Sequence, residues 1–201
     1  MIQVEENEHI QTLVYQLNKE GKSICGDSFF MKADDKELIC AVADGLGSGS
    51  LANESSAAIK DLVENYANED VESIIERCNQ AMKNKRGATA SILKINFEQR
   101  QFTYCSVGNV RFILHSPSGE SFYPLPISGY LSGKPQKYKT HTATYEKGSK
   151  FIIHTDGLNV PDIRSHLKKG QSVEEISNSL KMYTTSRKDD LTYILGQLSR
   201  E

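Results

Sequence analysis

Two apolar runs in this chain end on the same dipeptide. Residues 38–43, Leu38-Ile39-Cys40-Ala41-Val42-Ala43, run into Asp44-Gly45, and residues 151–155, Phe151-Ile152-Ile153-His154-Thr155, run into Asp156-Gly157. Each run is short and almost continuously apolar, the pattern of a strand buried on both faces. A fold that covers both faces of two strands needs at least two sheets or a sheet with helices over it. Each of these strands also delivers a carboxylate at its end. A third acidic pair, Asp189-Asp190, stands just before another apolar run, Leu191-Thr192-Tyr193-Ile194-Leu195. Acidic positions at strand ends, far apart in sequence, are the raw material of a site for a hard divalent cation.

The rest of the chain fills in around these strands. Strand patterns are predicted over residues 8–18 and at Phe29-Phe30-Met31. The period changes after Gly45-Leu46-Gly47-Ser48-Gly49-Ser50: Leu51, Ala52, Ser55, Ala58, Ile59, Leu62, Val63 and Tyr66 recur at helical spacing. A second helix is predicted from Val71 to Met82, with Ile74, Ile75, Cys78 and Met82 on one side. Strands return at 88–97, 101–107, 111–115 and 139–145, then 151–155; a helix over 172–183 and the strand 191–195 complete the order. Residues 116–137 are proline-rich and read as irregular loop with short extended pieces. Two adjacent helices followed by consecutive short-looped strands do not fit regular βαβ alternation. An α+β fold is expected, with largely antiparallel sheets or a sandwich and helices on the outer faces. No linker divides the chain, so 1–201 is expected to form one domain, and 201 residues at 38% hydrophobic content can bury a sizeable core.

Composition narrows the function. The net charge of −2 offers no basic excess for neutralising phosphates, so nucleic-acid binding is not expected. The group Lys83-Asn84-Lys85-Arg86 reads as a solvated helix end. No stretch approaches the ~20 apolar residues that span a bilayer, and the acidic start Met1-Ile2-Gln3-Val4-Glu5-Glu6 has no signal-peptide pattern. A soluble, cytoplasmic, monomeric protein away from membranes is the expectation. Cys25, Cys40, Cys78 and Cys105 lack zinc-site spacing and read as structural thiols.

The segment 44–49 is glycine-rich and precedes a helix, yet it has neither the Lys-Ser/Thr of a P-loop nor the spacing of a dinucleotide fingerprint. Its glycines allow a tight turn whose backbone can approach an ion. Cys25-Gly26-Asp27-Ser28-Phe29 puts another carboxylate beside a strand. If Asp27, Asp44, Asp156 and Asp189 gather at one end of the sheets, they need compensating positive charge. Carboxylate and carbonyl oxygens suit Mg²⁺ or Mn²⁺ rather than zinc. No G-x-S-x-G is present, and of the histidines only His154 stands beside these residues, where it reads as a strand side chain.

Gly26-Asp27-Ser28, Asp44-Gly45-Leu46-Gly47-Ser48-Gly49, Gly87-Ala88-Thr89-Ala90, Val107-Gly108-Asn109, Thr155-Asp156-Gly157-Leu158 and Asp189-Asp190-Leu191-Thr192 occur in an order that resembles PPM-type metal-dependent serine/threonine protein phosphatases. The likeness is greatest to the bacterial branch related to SpoIIE, and it spans 26–192. The resemblance implies a four-layer αββα sandwich with two Mn²⁺ or Mg²⁺ ions at one edge. It implies that Asp44 is the catalytic position, bridging both ions with a water between them. The Gly45 carbonyl and Asp27 would serve one ion, and Asp156 and Asp189 the other. Asp190 would support the ligands from behind. At this length, without a sensor domain, the resemblance points to the general stress sigma-factor pathway. Its substrates would be phosphorylated STAS-domain proteins of the stressosome, and their dephosphorylation would reset that pathway. Two rival readings are a phosphatase-like binding module without catalysis and a phosphatase of small esters such as phosphoserine.

Two positions depart from the family pattern. Gly26 stands where eukaryotic members carry an acidic residue, and no arginine lies just upstream to clamp phosphate; Lys22 is the nearest cation in sequence. After the second Asp-Gly, Asn159-Val160-Pro161 replaces a segment that is often acidic.

Overall fold

The computed structural model describes residues 1–199; the last two residues of the expected 1–201 unit lie outside them. Eleven strands and four α-helices are present among the described residues. One sheet is ordered β1 (Ile2–Glu6), β2 (Ile10–Leu17), β11 (Leu191–Leu198), β10 (Lys150–His154), β7 (Arg111–His115) and β8 (Ser121–Phe122). The other is ordered β3 (Asp27–Ala33), β4 (Glu37–Gly45), β5 (Ala88–Asn96), β6 (Gln101–Val107) and β9 (His141–Thr144). Every strand pairing in both ladders is antiparallel.

The continuous apolar runs have a direct explanation. In β4, Leu38, Cys40 and Val42 point between the two sheets, where they meet Leu93, Phe112, Phe151 and Ile194. The alternate residues Ile39, Ala41 and Ala43 point outward beneath α1 (Ser50–Asn65) and α2 (Val71–Ala81), against Ile59, Val63, Ile74, Ile75 and Cys78. β10 divides in the same way. Phe151 and Ile153 face the interior of the sandwich, while Ile152 faces α3 (Ile163–Lys169) and α4 (Val173–Leu180) with Leu167, Val173 and Ile176. The strand period of two thus feeds two cores at once. Three apolar layers separate four structural ones, giving the expected αββα sandwich.

Helix starts follow local chemistry. Asp70, Asp162 and Ser172 each accept a backbone N–H of the first turn at the head of α2, α3 and α4. α1 starts instead from Gly49, with φ of 71° and no side-chain cap. One strand and one helix, β1 and α3, had no counterpart in the sequence pattern, and β8 only a general one. β1 is short and half-exposed, so it shows little apolar pattern. β8 has two residues, and it is one of the extended pieces within the irregular 116–137 segment. α3 has seven residues and buries only Ile163 and Leu167. The predicted helix over 172–183 resolves into α4 followed by a short 3-10 turn at Lys181–Tyr183. No helix among the described residues is long and apolar enough to cross a membrane.

Candidate metal centre

The two sheets meet their acidic residues at one end of the sandwich. Asp27 opens β3 and Asp44 lies next to the end of β4, and the two are direct register partners. Opposed side chains on neighbouring strands stand only about 5 Å apart at Cβ. Asp156 follows β10, and Asp189-Asp190 lead into β11, which pairs with β10. The charges of Asp156, Asp189 and Asp190 all act on Asp44, and those of Asp44 and Asp190 act on Asp27. The carboxylates singled out in the sequence therefore do come together.

Their environments differ. Asp27 is buried, and burial followed by the Asp44 charge holds its carboxyl well above the ordinary range. Its Oδ2 accepts the Thr155 hydroxyl at 2.9 Å, a bond that joins the two sheets. Its Oδ1 is buried with no hydrogen-bond partner. Asp44 is half-buried, and its carboxyl is pushed up to about 7 by burial and then by Asp156, Asp189 and Asp190. Asp156 is exposed, with Oδ2 accepting the Asn109 amide at 2.7 Å. Asp189 is exposed as well, and the Lys19 ammonium stands 3.7 Å from its Oδ1. Asp190 is buried, and its Oδ1 accepts the Lys19 backbone N–H at 2.9 Å.

The glycines of both Asp-Gly pairs are required by space. A Cβ on Gly45 would lie 1.9 Å from the Ala52 carbonyl oxygen in α1. A Cβ on Gly157 would lie 2.0 Å from the Asp190 carbonyl oxygen. Neither glycine has positive φ, so conformational freedom is not the reason for either. Each lets a neighbouring segment approach closely enough to bring carboxylates together. Gly47, at φ 103°, is the position where the glycine-rich turn does need left-handed backbone. Gly26 has a similar spatial reason, since a Cβ there would come within 2.8 Å of Asp190 Oδ2. The missing acidic residue at position 26 thus makes room for Asp190.

Sequence reading placed Thr89 and Asn109 in motifs but gave them no task. Thr89 is the register partner of Asp44, and its hydroxyl donates to Asn109 Oδ1 at 2.6 Å. The other end of the Asn109 amide holds Asp156. A chain of contacts therefore fixes the carboxylate of one sheet from the strand beside the carboxylate of the other. Lys19 was also missed. Lys22 is closer to Asp27 in sequence, but in space the cation beside the acidic cluster is Lys19. His154, expected as a strand side chain, is buried. Its Nδ1 lies 2.9 Å from the Thr155 carbonyl oxygen, and burial pushes the imidazole down to about 4. The cysteines are free and buried, as expected of structural thiols.

The cluster offers carboxylate oxygens; the one sulfur beside them is the Cys25 thiol, next to Asp27 and Asp190, which burial keeps protonated. Among the described residues no three His, Cys, Asp or Glu side chains make a ready-made cage round one ion. The donors that are present, carboxylate and carbonyl oxygens, are of the kind that hard ions such as Mg²⁺ take. The unpartnered Asp27 Oδ1 and the raised Asp44 carboxyl both call for nearby positive charge. The donor set therefore fits hard divalent ions.

Comparison with known proteins agrees with this geometry. Residues 34–198 match the family model described as Stage II sporulation protein E (SpoIIE). A crystal structure of RsbX in complex with magnesium is 99% identical, covering 99% of this chain and 100% of that one, with a TM-score of 0.98. A protein solved in work on the bacterial stressosome, as a modular system adapted to control secondary messenger signaling, is 26% identical. It covers 93% of this chain and 98% of its own, with a TM-score of 0.84. The PP2C phosphatase domain of SpoIIE from Bacillus subtilis, solved with a fragment of its regulatory domain, shares the fold at 14% identity. The match covers 98% of this chain and 70% of that one, with a TM-score of 0.78. With strand-end carboxylates converging from two sheets and a family match over most of its length, the chain belongs to the SpoIIE family of PPM-type serine/threonine protein phosphatases.

Proposed function

We propose that Asp27, Asp44, Gly45, Asp156 and Asp189 hold two divalent ions, Mg²⁺ or Mn²⁺, and that the substrates are phosphorylated STAS-domain proteins of the stressosome. The observation that carries the ligand assignment is the Asp27–Asp44 register pair, which sets two carboxylates side by side within reach of the charges of Asp156, Asp189 and Asp190. Asp44 acts on Asp27 and itself feels Asp156, Asp189 and Asp190, so it would be the residue shared by both ions, with Asp27 and the Gly45 carbonyl serving one and Asp156 and Asp189 the other. When bound, the ions supply positive charge for the developing phosphoryl oxygens and lower the pKa of water used as the nucleophile.

The protein's own residues do the positioning. The Thr155 hydroxyl fixes Asp27 across the sheets, and Asn109, itself held by Thr89, fixes the direction of Asp156. Asp190 anchors the backbone of Lys19 and so keeps its ammonium beside Asp189. Neither a nucleophilic side chain nor a covalent phosphoenzyme is needed. The whole chain works as one phosphatase domain in the cytoplasm, and its product is a reset, less active general stress sigma-factor pathway. The 99% identity to RsbX and the stressosome setting of the 26% identical protein support this reading.

The test is phosphate release from a phosphorylated STAS-domain stressosome protein, titrated with Mn²⁺ or Mg²⁺ and with chelator as control. Free phosphoserine is the comparison substrate. A far larger kcat/KM for the phosphoprotein is expected; equal specificity constants would overturn the protein-substrate assignment.

A further inference from the structure

A cavity lies on the outer face of the β10 sheet, at the same end as the carboxylates. Its volume is about 220 Å³, and Arg111, Arg164, His154, Ile113 and Leu158 are among its walls. Arg111 in β7 is the register partner of His154 in β10, so the two stand side by side. Arg164 comes from α3. Both guanidinium groups belong to exposed residues, and neither makes a hydrogen bond or ion pair with another side chain among the described residues. Asp162 also borders the cavity, but its Oδ1 caps α3 by accepting the Ser165 N–H at 3.3 Å. The cavity thus carries an excess of positive charge in a chain whose net charge is −2.

Two chain segments tie this cavity to the metal centre. Asn109, which holds Asp156, precedes Arg111 by two residues. The loop that begins at Asp156 supplies Leu158, Asn159 and Val160 to the wall. A polypeptide seated at the carboxylates therefore reaches the cavity within a short span.

The chemistry of the walls selects the occupant. Guanidinium groups pair with carboxylates through two parallel N–H···O bonds, which a point-charge ammonium cannot do. Ile113 and Leu158 offer apolar surface for a methylene stem. The His154 Nδ1 faces a carbonyl oxygen and so carries the proton, which leaves Nε2 as an acceptor suited to a peptide N–H rather than to a second anion. We propose that this cavity is a specificity subsite that takes the carboxylate side chain of an acidic residue lying near the phosphorylated residue of the protein substrate. The proposal rests on the phosphatase reading above for its catalytic consequence, but not for binding.

The experiment compares the wild-type protein with R111Q, R164Q and the double variant. The probes are phosphoserine peptides with glutamate or glutamine at each neighbouring position in turn, and p-nitrophenyl phosphate. For the favoured glutamate position the double variant is expected to raise KM about tenfold, the loss typical of charge-assisted contacts. The glutamine peptide and p-nitrophenyl phosphate should change less than about twofold, with kcat preserved. Fluorescence anisotropy of the same labelled peptides on metal-free protein provides a readout independent of turnover. Preferential binding of the glutamate peptide, lost in the double variant, supports the subsite even if no peptide is hydrolysed, a result that would sink the phosphatase reading alone. Equal binding of glutamate and glutamine peptides at every position, or equal losses for both in the variants, overturns the subsite. Inorganic phosphate as competitor separates the two oxyanions: protection by phosphate that disappears in the double variant would mean the cavity takes phosphate and not a carboxylate.

Discussion

The two Asp-Gly strand ends look alike in sequence and behave differently in the fold. Asp44-Gly45 packs against α1, and its carboxylate is half-buried opposite the buried Asp27. Asp156-Gly157 packs against the backbone that leads into β11, and its carboxylate is exposed and held by Asn109. One end concentrates like charge in a poorly hydrated place; the other keeps its charge in water and fixes only its direction. The difference teaches that one motif can serve two electrostatic tasks. The buried end creates the demand for a cation, because desolvated carboxylates side by side resist ionising together. The exposed end keeps an accessible carboxylate at little cost to folding.

That contrast can be broken at four points. The largest effect is expected at the buried end. Asp44→Asn should lower metal-dependent phosphate release at least ~10²-fold, since an electrostatic anchor of the transition state is lost. It should also raise the melting temperature of the metal-free protein by relieving like-charge crowding, so activity and thermal unfolding must move in opposite directions. Near-normal turnover in this variant would remove Asp44 from the bridging role.

The next test asks whether both glycines are spatial necessities. Gly45→Ala and Gly157→Ala each push a methyl group into a backbone carbonyl. Each should lose about 3 kcal/mol in urea unfolding, at the upper end of ordinary overpacking. A loss at one position only would show that the close approach matters at just that end.

A smaller change is expected from Asn109→Ala, which frees Asp156 while leaving every proposed ligand in place. Supporting contacts of this kind commonly contribute about tenfold in metal affinity. Isothermal titration with Mn²⁺ should find weaker binding by roughly that factor, with thermal stability little altered. The smallest effect belongs to Lys19→Met. If Asp189 is a ligand as proposed, the Lys19 ammonium would compete with the ion, but both groups are largely exposed, and such pairs are worth about 0–1 kcal/mol. Divalent affinity should rise by no more than about fivefold; a fall would mean that Lys19 orders the site rather than competing for it.

Much of this organisation was legible in the chain itself. The doubly buried strands β4 and β10 announced themselves because both alternating residue sets are apolar, which also required helices over each sheet. α1 and α2 were legible because Ile59, Val63, Ile74, Ile75 and Cys78 recur at helical spacing and all face one core. α3 escaped because seven residues with two buried side chains do not establish a period. The convergence of the carboxylates could be suspected from strand ends, yet the register pairing of Asp27 with Asp44 is a tertiary fact. The parts played by Lys19 and Thr155 were hidden for the same reason. Lys19 reaches Asp189 across 170 residues of sequence, and Thr155 reaches Asp27 across 128, with no local signal at either end.

β11 lies between β2 and β10, although it is the last strand in chain order. β2 and β10 have no ladder to one another without it, and Asp189 stands at its threshold. During synthesis, then, the earlier strands of that sheet must wait for residues 191–198 before they can join. A nascent chain that already contains Asp27, Asp44 and Asp156 still has no assembled centre. Long-range closure of this kind is slow compared with local pairing. Residues 189–198 thus carry two things at once: an acidic position of the cluster, and the strand without which the two halves of that sheet have no shared ladder.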